Sequence, residues 1–194
     1  VGIRAPGADE AERDWAAVVT SQGRLARADE ALGPIGYRTL QTWQLAEAQD
    51  RPGLAAQLQA RAGLVVDDVG RLMPLLKTGE ADYAFVYRSS CLASDVRYIE
   101  LPAAINLSDS AVDYSAASVD AVLPDGQTMT FEGRPILWAL SIPRQASDAA
   151  LAREFVEFLL SRPDLMTQAG LTPLAPPVYV GSAGGMTPFD AELS

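Results

Sequence analysis

The stretch Gly33-Pro34-Ile35-Gly36-Tyr37-Arg38-Thr39, followed by residues 40–49, is the part of the chain from which its fold is first inferred. Two glycines and a proline precede a run whose apolar or aromatic residues are Leu40, Trp43, Leu45 and Ala46, a pattern that predicts a turn leading into an amphipathic helix. The first N–H groups of a helix lack internal acceptors and carry the positive end of the helix dipole, so such a start can bind an anion. Gly-Pro-x-Gly is also common in ordinary tight turns, and the rest of the chain must decide between the two interpretations.

The composition excludes several classes of function. The net charge of −10 argues against nucleic acid or an anionic membrane as a partner, because both require basic patches. The 194 residues include no histidine, which excludes His-based triads, His general bases and His-ligated zinc. The single cysteine, Cys91, cannot form an internal disulfide, and we expect it to be buried. No apolar run reaches the roughly 18 residues of a membrane span.

Strand and helix patterns alternate through the first hundred residues. Strands are predicted at residues 1–4, 24–27, 64–66, 83–87 and 96–100, and helices at residues 8–19, 40–49 and 54–62 and from Asp67-Asp68-Val69 to Gly79. This alternation predicts an α/β fold with a mainly parallel sheet, and the unbroken apolar run at residues 83–87 is typical of a sheet covered on both faces. Ligands of such sheets lie at the carboxyl ends of the strands, where we expect the Gly33 turn, the Asp68-Val69 turn and residues 87–90 to meet.

The second half of the chain predicts a hairpin and two helices. Residues 117–123 and 128–131 flank the turn Pro124-Asp125-Gly126, and residues 135–142 follow as a long apolar strand. Ser147-Asp148 is expected to cap a helix that runs to residue 161, and a shorter helix is predicted at residues 163–169. The proline- and glycine-rich tail from residue 172 should wrap a surface or be partly loose.

A set of short motifs keeps one order and spacing along nearly the whole chain. They are Asp14-Trp15, Gly36-Tyr37-Arg38-Thr39-Leu40, Gln44-Leu45-Ala46-Glu47, Leu76-Lys77-Thr78-Gly79-Glu80, Asp82-Tyr83-Ala84-Phe85, Tyr87-Arg88-Ser89, Ile99-Glu100-Leu101-Pro102, Ile105-Asn106-Leu107-Ser108, Ile142-Pro143-Arg144, residues 155–161 and Thr172-Pro173-Leu174. With these motifs the chain resembles the periplasmic molybdate/tungstate-binding proteins of ABC importers, in particular their archaeal-type branch. These proteins have the type II solute-binding fold.

The resemblance implies an architecture. The expected fold is an α/β lobe like that of type II periplasmic binding proteins, with a mixed, mainly parallel sheet flanked by helices. Residues 1–142 would be the second lobe with its crossover strands, and residues 143–194 the C-terminal helices and tail that return toward the first lobe. The first lobe of the family, with its anion-binding serines, has no counterpart in this sequence.

The resemblance also implies a function and a set of contacts. The chain would belong to the substrate-binding component of an ABC importer and hold a tetrahedral oxyanion, molybdate or tungstate, with no cofactor and no metal ligand. The amides of Ile35 and Val69 and the hydroxyl of Tyr87 are the implied contacts, and the further candidate site residues are Gly36, Asp68 and Ser89. The archaeal-type branch has Asp at the position of Gly33 and Glu at the position of Val86, so these two positions resemble the classical bacterial molybdate binders instead.

Each candidate has a structural alternative. Tyr87 is equally suited to be an aromatic residue at a strand end, and Asp67 and Asp68 are better helix caps than ligands, because a carboxylate repels an anion. Arg38 has three possible roles: contact with the anion, a pair with an acid, or cover for apolar surface. Ser89 is also suited to cap a following helix.

Other functions stay open at this point. The cargo could be sulfate or another oxyanion, and a ligand-sensing effector domain of a transcription regulator has the same fold. An enzyme has little support, because Glu80, Asp82 and Glu100 are better placed as solvated charges than as an acid/base pair. As an importer component the protein would work with a membrane permease and without nucleic acid. Its expected location is periplasmic or extracellular, with any membrane anchor in a segment that this chain does not include.

Overall fold

A five-stranded sheet lies at the centre of the computed structural model of this chain, which describes residues 2–3, 15–20 and 23–177. The chain divides into two units, residues 1–139 and 140–194, and each is described by itself. The sheet belongs to the first unit, and its strands are β1 (Gly2–Ile3), β2 (Leu25–Ala28), β3 (Leu64–Val66), β4 (Tyr83–Val86) and β5 (Ile99–Glu100). Most of the predicted helix at residues 8–19 and the tail beyond residue 177 lie outside the described residues.

The order of the strands confirms the predicted α/β class. The sheet runs β3-β2-β4-β1-β5, and β2 is parallel to both β3 and β4. The short β1 is antiparallel to β4 and β5, which makes the sheet mixed. The parallel strands β3, β2 and β4 therefore bring three carboxyl ends to one edge.

Both faces of the sheet are covered, as the apolar run at residues 83–87 predicts. In β4, Tyr83 and Phe85 pack into a core with Trp15 and Trp43, whereas the alternate residues Ala84 and Val86 pack into a second core on the other face. In β2 the same alternation separates Leu25 from Ala26 and Ala28. Successive side chains of a strand point to opposite faces, so two buried cores require helices on both sides of the sheet.

The helices of the first unit follow the strands. They are α1 (Trp15–Thr20), α2 (Pro34–Ala48), α3 (Leu54–Arg61), a 3-10 helix (Val69–Arg71), α4 (Leu72–Thr78), α5 (Arg88–Ala93) and α6 (Ala103–Asn106). Gly79, with φ +75°, ends α4 as predicted, because glycine accepts the left-handed conformation of a helix C-terminus. Among the described residues, no helix combines the length and apolar character that crossing a bilayer requires.

The start of α2 differs from the prediction. The helix begins at Pro34 rather than near residue 40, because a proline at the first helical position has a compatible φ and no N–H group to leave unpaired. Gly33 is the extended residue just before the helix. The Gly-Pro-x-Gly motif is thus the first turn of the helix itself.

Two other sequence predictions are corrected. The strand predicted at residues 96–100 is reduced to β5, and the strand predicted at residues 135–142 is wrong, because this segment has no regular secondary structure and pairs with no strand of the described chain. Its backbone contributes a hydrogen bond from the Ile136 amide to the carbonyl of Leu107 (2.7 Å), and Pro135 has no N–H group to donate. Among the described residues, this run therefore forms no ladder with the edge strands β3 and β5.

A two-stranded hairpin, β6 (Ser118–Val122) and β7 (Thr128–Glu132), confirms the predicted reversal at Pro124-Asp125-Gly126 and packs against α2. The Gln41 side chain donates to the carbonyl of Phe131 (2.7 Å), and the Gln44 side chain exchanges two hydrogen bonds of 2.8 Å with the backbone of Ser118. The ring of Tyr37 stacks on that of Phe131 at 4.0 Å. These contacts fix α2 along much of its length.

The second unit contains α7 (Ala149–Ser161) and α8 (Pro163–Gln168). The carboxylate of Asp148 accepts a hydrogen bond from the Leu151 amide (2.9 Å), which confirms the predicted cap. The apolar side of α7 is exposed, with Leu151, Phe155 and Phe158 between 48% and 61% accessible. A helix with one apolar side normally buries it against another element.

Candidate functional site

A cavity of about 360 Å³ opens at the carboxyl edge of the three parallel strands. The residue after each of these strands lines it: Asp29 after β2, Asp67 after β3 and Tyr87 after β4. The remaining wall comes from the start of α2, from the 3-10 helix and from the extended segment at residues 136–138. All three segments expected at this edge contribute to the cavity wall, the third of them through Tyr87, as the rule for parallel sheets predicts.

The first turn of α2 contributes Gly33, Ile35 and Arg38 to the wall. The Ile35 amide is the second of the helix, where a regular helix offers no acceptor, and none is present in the described part of the chain. The Gly36 amide is already engaged, because it donates to the carbonyl of Gly33 (3.0 Å). Gly36 also lies off the cavity wall, where a Cβ would be 2.1 Å from the carbonyl oxygen of Asp29. Its visible role is to let α2 approach the turn after β2.

The turn after β3 contributes Asp68 and Val69. It is a 3-10 helix rather than the predicted start of an α-helix, because the ring of Pro74 would clash with the carbonyl of Gly70 in a regular helix that began there. The Asp68 carboxylate caps this turn by accepting from the Gly70 amide (2.8 Å). The Val69 amide has no acceptor within the described ranges.

Tyr87 follows β4, precedes α5 and is half-buried. Its hydroxyl oxygen accepts a hydrogen bond of 2.7 Å from Nη1 of Arg38, a contact between residues 49 positions apart that no local sequence pattern reveals. Burial raises the pKa of the Tyr87 hydroxyl, and the nearby Arg38 cation only partly offsets this. Tyr87 therefore keeps its proton at neutral pH.

The side chains of Leu137 and Trp138 complete the wall, and sequence analysis missed them because it assigned them to a strand. Trp138 contacts Tyr87 edge to face, with ring centroids 6.2 Å apart, yet 66% of its surface is accessible. Leu137 is similarly exposed. An aromatic residue just after a proline, in an apolar run without a strand partner, is the signal that could have marked this segment.

The charges on the wall are three carboxylates and one guanidinium. Asp29 accepts from the amide of Ala31 (2.8 Å), and Asp67 accepts from Arg71 (3.1 Å) in an exposed pair. Asp68 is the cap already described, and Arg38 is the cation of the cavity lining. No group of metal-ligating side chains able to hold an ion occurs in the described residues.

The other predicted residues lie elsewhere. Ser89 is the second residue of α5, after the cap position held by Tyr87, and is not part of the cavity wall. The acids weighed as catalytic candidates are in separate surface contacts: Asp82 pairs with Arg24, Glu100 pairs with Arg88, and Glu80 accepts from the hydroxyl of Thr78.

Comparison with known proteins identifies relatives that are named as binding proteins. A protein of Haloferax volcanii, provisionally named as an ABC transporter molybdenum-binding protein, is 39% identical over 81% of this chain and 50% of its own length. An uncharacterised solute-binding protein of Halobacterium salinarum is 34% identical over 86% of this chain and 54% of its own length. A further uncharacterised solute-binding protein, from Petrotoga mobilis, is 32% identical over 77% of this chain and 49% of its own length.

This chain spans about half the length of these curated relatives. The family model for bacterial extracellular solute-binding proteins matches residues 3–164, which include nearly all of the sheet, the cavity wall and α7 of the second unit. That family consists of binding proteins rather than enzymes. The chain therefore belongs to the family of bacterial extracellular solute-binding proteins.

Proposed function

We propose that this chain is part of the substrate-binding component of an ABC importer and binds a tetrahedral oxyanion, molybdate or tungstate, in the cavity at the sheet edge. One observation carries the proposal: two amides that have no acceptor among the described residues, on Ile35 and Val69, belong to residues that line the same cavity as the protonated hydroxyl of Tyr87. They come from three separate elements, as expected for donors that surround one small ligand.

The chemistry of the ligand fits these donors. A bare tetraoxo dianion offers only acceptor oxygens, so a site for it needs N–H and O–H groups. Uncharged donors also avoid the desolvation cost of burying a full charge, and they allow the ligand to be released. The net charge of −10 does not oppose such binding, because local dipoles rather than net charge act on a ligand at this range.

The identity of the anion is proposed from two sources. The motifs quoted above resemble those of molybdate/tungstate-binding proteins, and the name of the Haloferax volcanii relative refers to molybdenum binding. Gly33 and Val86 provide no carboxylate to expand the coordination of the metal, so we propose a tetrahedral ligand held by hydrogen bonds alone. Sulfate is the nearest competitor, since it has the same shape and charge.

The whole protein is proposed to be two-lobed. We assign residues 1–142 to the second lobe and residues 143–194 to the helices and tail that return toward the first lobe, which would lie in the half of the relatives' length outside this match. The exposed apolar side of α7 and the exposed Leu137 and Trp138 at the cavity are surfaces suited to such a partner lobe. Membership of an extracellular family implies a periplasmic or extracellular location, and a membrane permease is the proposed partner.

Isothermal titration calorimetry of the intact protein with molybdate, tungstate, sulfate and phosphate tests the proposal. We expect the first two anions to bind most tightly, and Tyr87→Phe to weaken molybdate binding about five- to tenfold through the loss of one hydrogen bond. Tyr98→Phe removes the hydroxyl of a half-buried tyrosine outside the cavity wall and should leave the affinity unchanged. The proposal fails if none of the four anions binds, or if tungstate density in a crystal lies away from Ile35, Val69 and Tyr87.

A further inference from the structure

We propose that Arg38 fixes the direction of the Tyr87 hydroxyl and thereby makes the cavity selective for oxyanions that carry no proton, an inference that rests on the proposed oxyanion-binding function. Arg38 is a positioning residue in this proposal, since it acts on the ligand through Tyr87.

The hydrogen bond between the two side chains has only one possible polarity. A guanidinium carries donors and no acceptor, so in the 2.7 Å contact the phenol oxygen of Tyr87 must accept. The hydroxyl has a single proton, and that proton is left to be donated to another group. Because Tyr87 lines the cavity, a bound ligand oxygen is the natural acceptor.

The position of Arg38 is itself well determined. Its guanidinium carbon lies 5.8 Å from the ring centroid of Tyr37 and 5.9 Å from that of Tyr87, which are cation–π distances. The Tyr37 ring is held in turn by its parallel stack on Phe131 of the hairpin. In the described part of the chain Arg38 forms no ion pair with a carboxylate. No carboxylate there competes with the Tyr87 hydroxyl for its guanidinium.

This polarity distinguishes two kinds of dianion. Molybdate offers acceptors in every direction, which suits donors on Ile35, Val69 and Tyr87. Monohydrogen phosphate has the same charge but presents one O–H group, and an O–H facing a donor leaves both groups unpaired. Without Arg38 the Tyr87 hydroxyl could rotate and accept that proton. Removal of Arg38 should therefore cost molybdate more affinity than it costs phosphate.

The carboxylates on the wall are the competing explanation. Asp29 and Asp68 each use one oxygen for a backbone amide, and Asp67 uses one for Arg71, so each has a second oxygen that could accept a ligand proton. If one of them did so, the unmodified protein would bind phosphate as well as it binds molybdate. A preference for molybdate in the unmodified protein is thus the first requirement of the proposal.

The experiment measures the ratio of molybdate affinity to phosphate affinity on the intact protein, by calorimetry at a pH where phosphate is mainly the monohydrogen dianion. We expect Arg38→Met to lower this ratio about fivefold or more, because the donor conflict with phosphate is relieved. The loss of one positive charge affects both dianions equally and cancels in the ratio. Arg38→Lys should preserve the ratio, since an ammonium group also only donates. Arg134→Met removes an exposed arginine outside the cavity wall and is the charge-matched control.

A double substitution shows whether Arg38 acts through Tyr87. In the Tyr87→Phe background, Arg38→Met should leave the ratio unchanged, because there is no hydroxyl left to direct. A ratio unchanged by Arg38→Met alone overturns the inference. An equal fall of the ratio with and without the Tyr87 hydroxyl overturns it as well, because the effect would then be purely structural.

A readout without ligand separates this inference from the proposed function. Arg38 lowers the pKa of Tyr87 relative to burial alone, so in the alkaline titration of ¹³Cζ-labelled tyrosine, Arg38→Met should shift the Tyr87 resonance to a higher pKa. If Arg38→Met leaves the pKa of Tyr87 unchanged, Arg38 does not act on the Tyr87 hydroxyl, and the inference is refuted whether or not molybdate binds. If the expected titration shift is found but neither anion binds, the proposed function fails and the selectivity inference falls with it.

Discussion

Replacement of Gly36 by alanine tests the geometry on which the start of α2 depends. The new Cβ would lie 2.1 Å from the carbonyl oxygen and 2.4 Å from the carbonyl carbon of Asp29, whereas ordinary contacts begin at 3.4 Å. The backbone must therefore open by more than 1 Å. It cannot do so freely, because the Asp29 amide is hydrogen-bonded to the carbonyl of Val66 at the end of β3 (2.8 Å).

The cost of this change can be estimated from the atoms involved. Overpacking by one methyl group costs about 1–3 kcal/mol, and a clash with backbone atoms, which cannot rotate away as a side chain can, belongs at the upper end of that range. For a chain of this size, about 3 kcal/mol corresponds to a fall of about 6–12 °C in Tm. Gly33→Ala is the matched control, since a Cβ there meets nothing within 4 Å and its φ of −175° suits any residue. Its expected change in stability is at most about 0.5 kcal/mol.

Thermal unfolding followed by circular dichroism, on the intact protein and both variants, measures the difference. Molybdate affinity should fall in Gly36→Ala as well, because displacement of the helix start moves the Ile35 amide. If Gly36→Ala unfolds within about 2 °C of the unmodified protein, the close approach of α2 to the turn after β2 is incorrect.

Further predictions concern three separate parts of the molecule. Asp68→Asn keeps the cap but removes a negative charge from the cavity wall. In calorimetry at low salt, molybdate binding should therefore tighten about two- to fivefold. Weaker binding would instead show that the carboxylate contacts the ligand. Burial raises the pKa of the Cys91 thiol from 9.0 to about 11. Because the thiolate is the reactive form, modification by a thiol reagent should be about 100-fold slower in the folded protein than in denaturant. Equal rates would contradict the burial of Cys91. Because the pKa of Cys91 is higher in the folded state, its contribution to stability is present below pH 9.0 and is lost as the pH rises through about 11, which unfolding measurements against Cys91→Ala would detect. Asp148→Ala removes the hydrogen bond to the Leu151 amide and should lower the free energy of unfolding by about 1 kcal/mol in denaturant titrations, whereas an unchanged value would mean that the cap contributes nothing.

Local patterns predicted the elements whose stabilising contacts are near in sequence. The hairpin around Pro124-Asp125-Gly126, the cap at Asp148 and the left-handed end of α4 at Gly79 follow from turn and cap chemistry alone, and the structure confirms all three. The burial of β4 on both faces of the sheet followed from its unbroken apolar run.

The features that sequence analysis missed depend on distant contacts. The apolar run at residues 135–142 has strand-like composition but no partner strand, and composition does not reveal which sheet edges are free. The bond between Arg38 and Tyr87 joins two elements separated by 49 positions, so no window on the helix could identify the partner of the arginine. Ile35, Val69, Tyr87 and Asp68 meet at the cavity because parallel strands share an edge, whereas Gly36 and Ser89 are one or two residues away from that wall.

The hairpin has a mechanical consequence for the two sides of the cavity. Its strands are hydrogen-bonded to Gln41 and Gln44 of α2. After the hairpin, the Gly133 amide donates to the carbonyl of Ala117 (2.7 Å), and the chain then continues to Trp138 on the cavity wall. The hairpin therefore connects α2 with Trp138 on the cavity wall. Because a displacement of either one would strain the same hydrogen bonds, we expect α2 and the segment that carries Trp138 to move together.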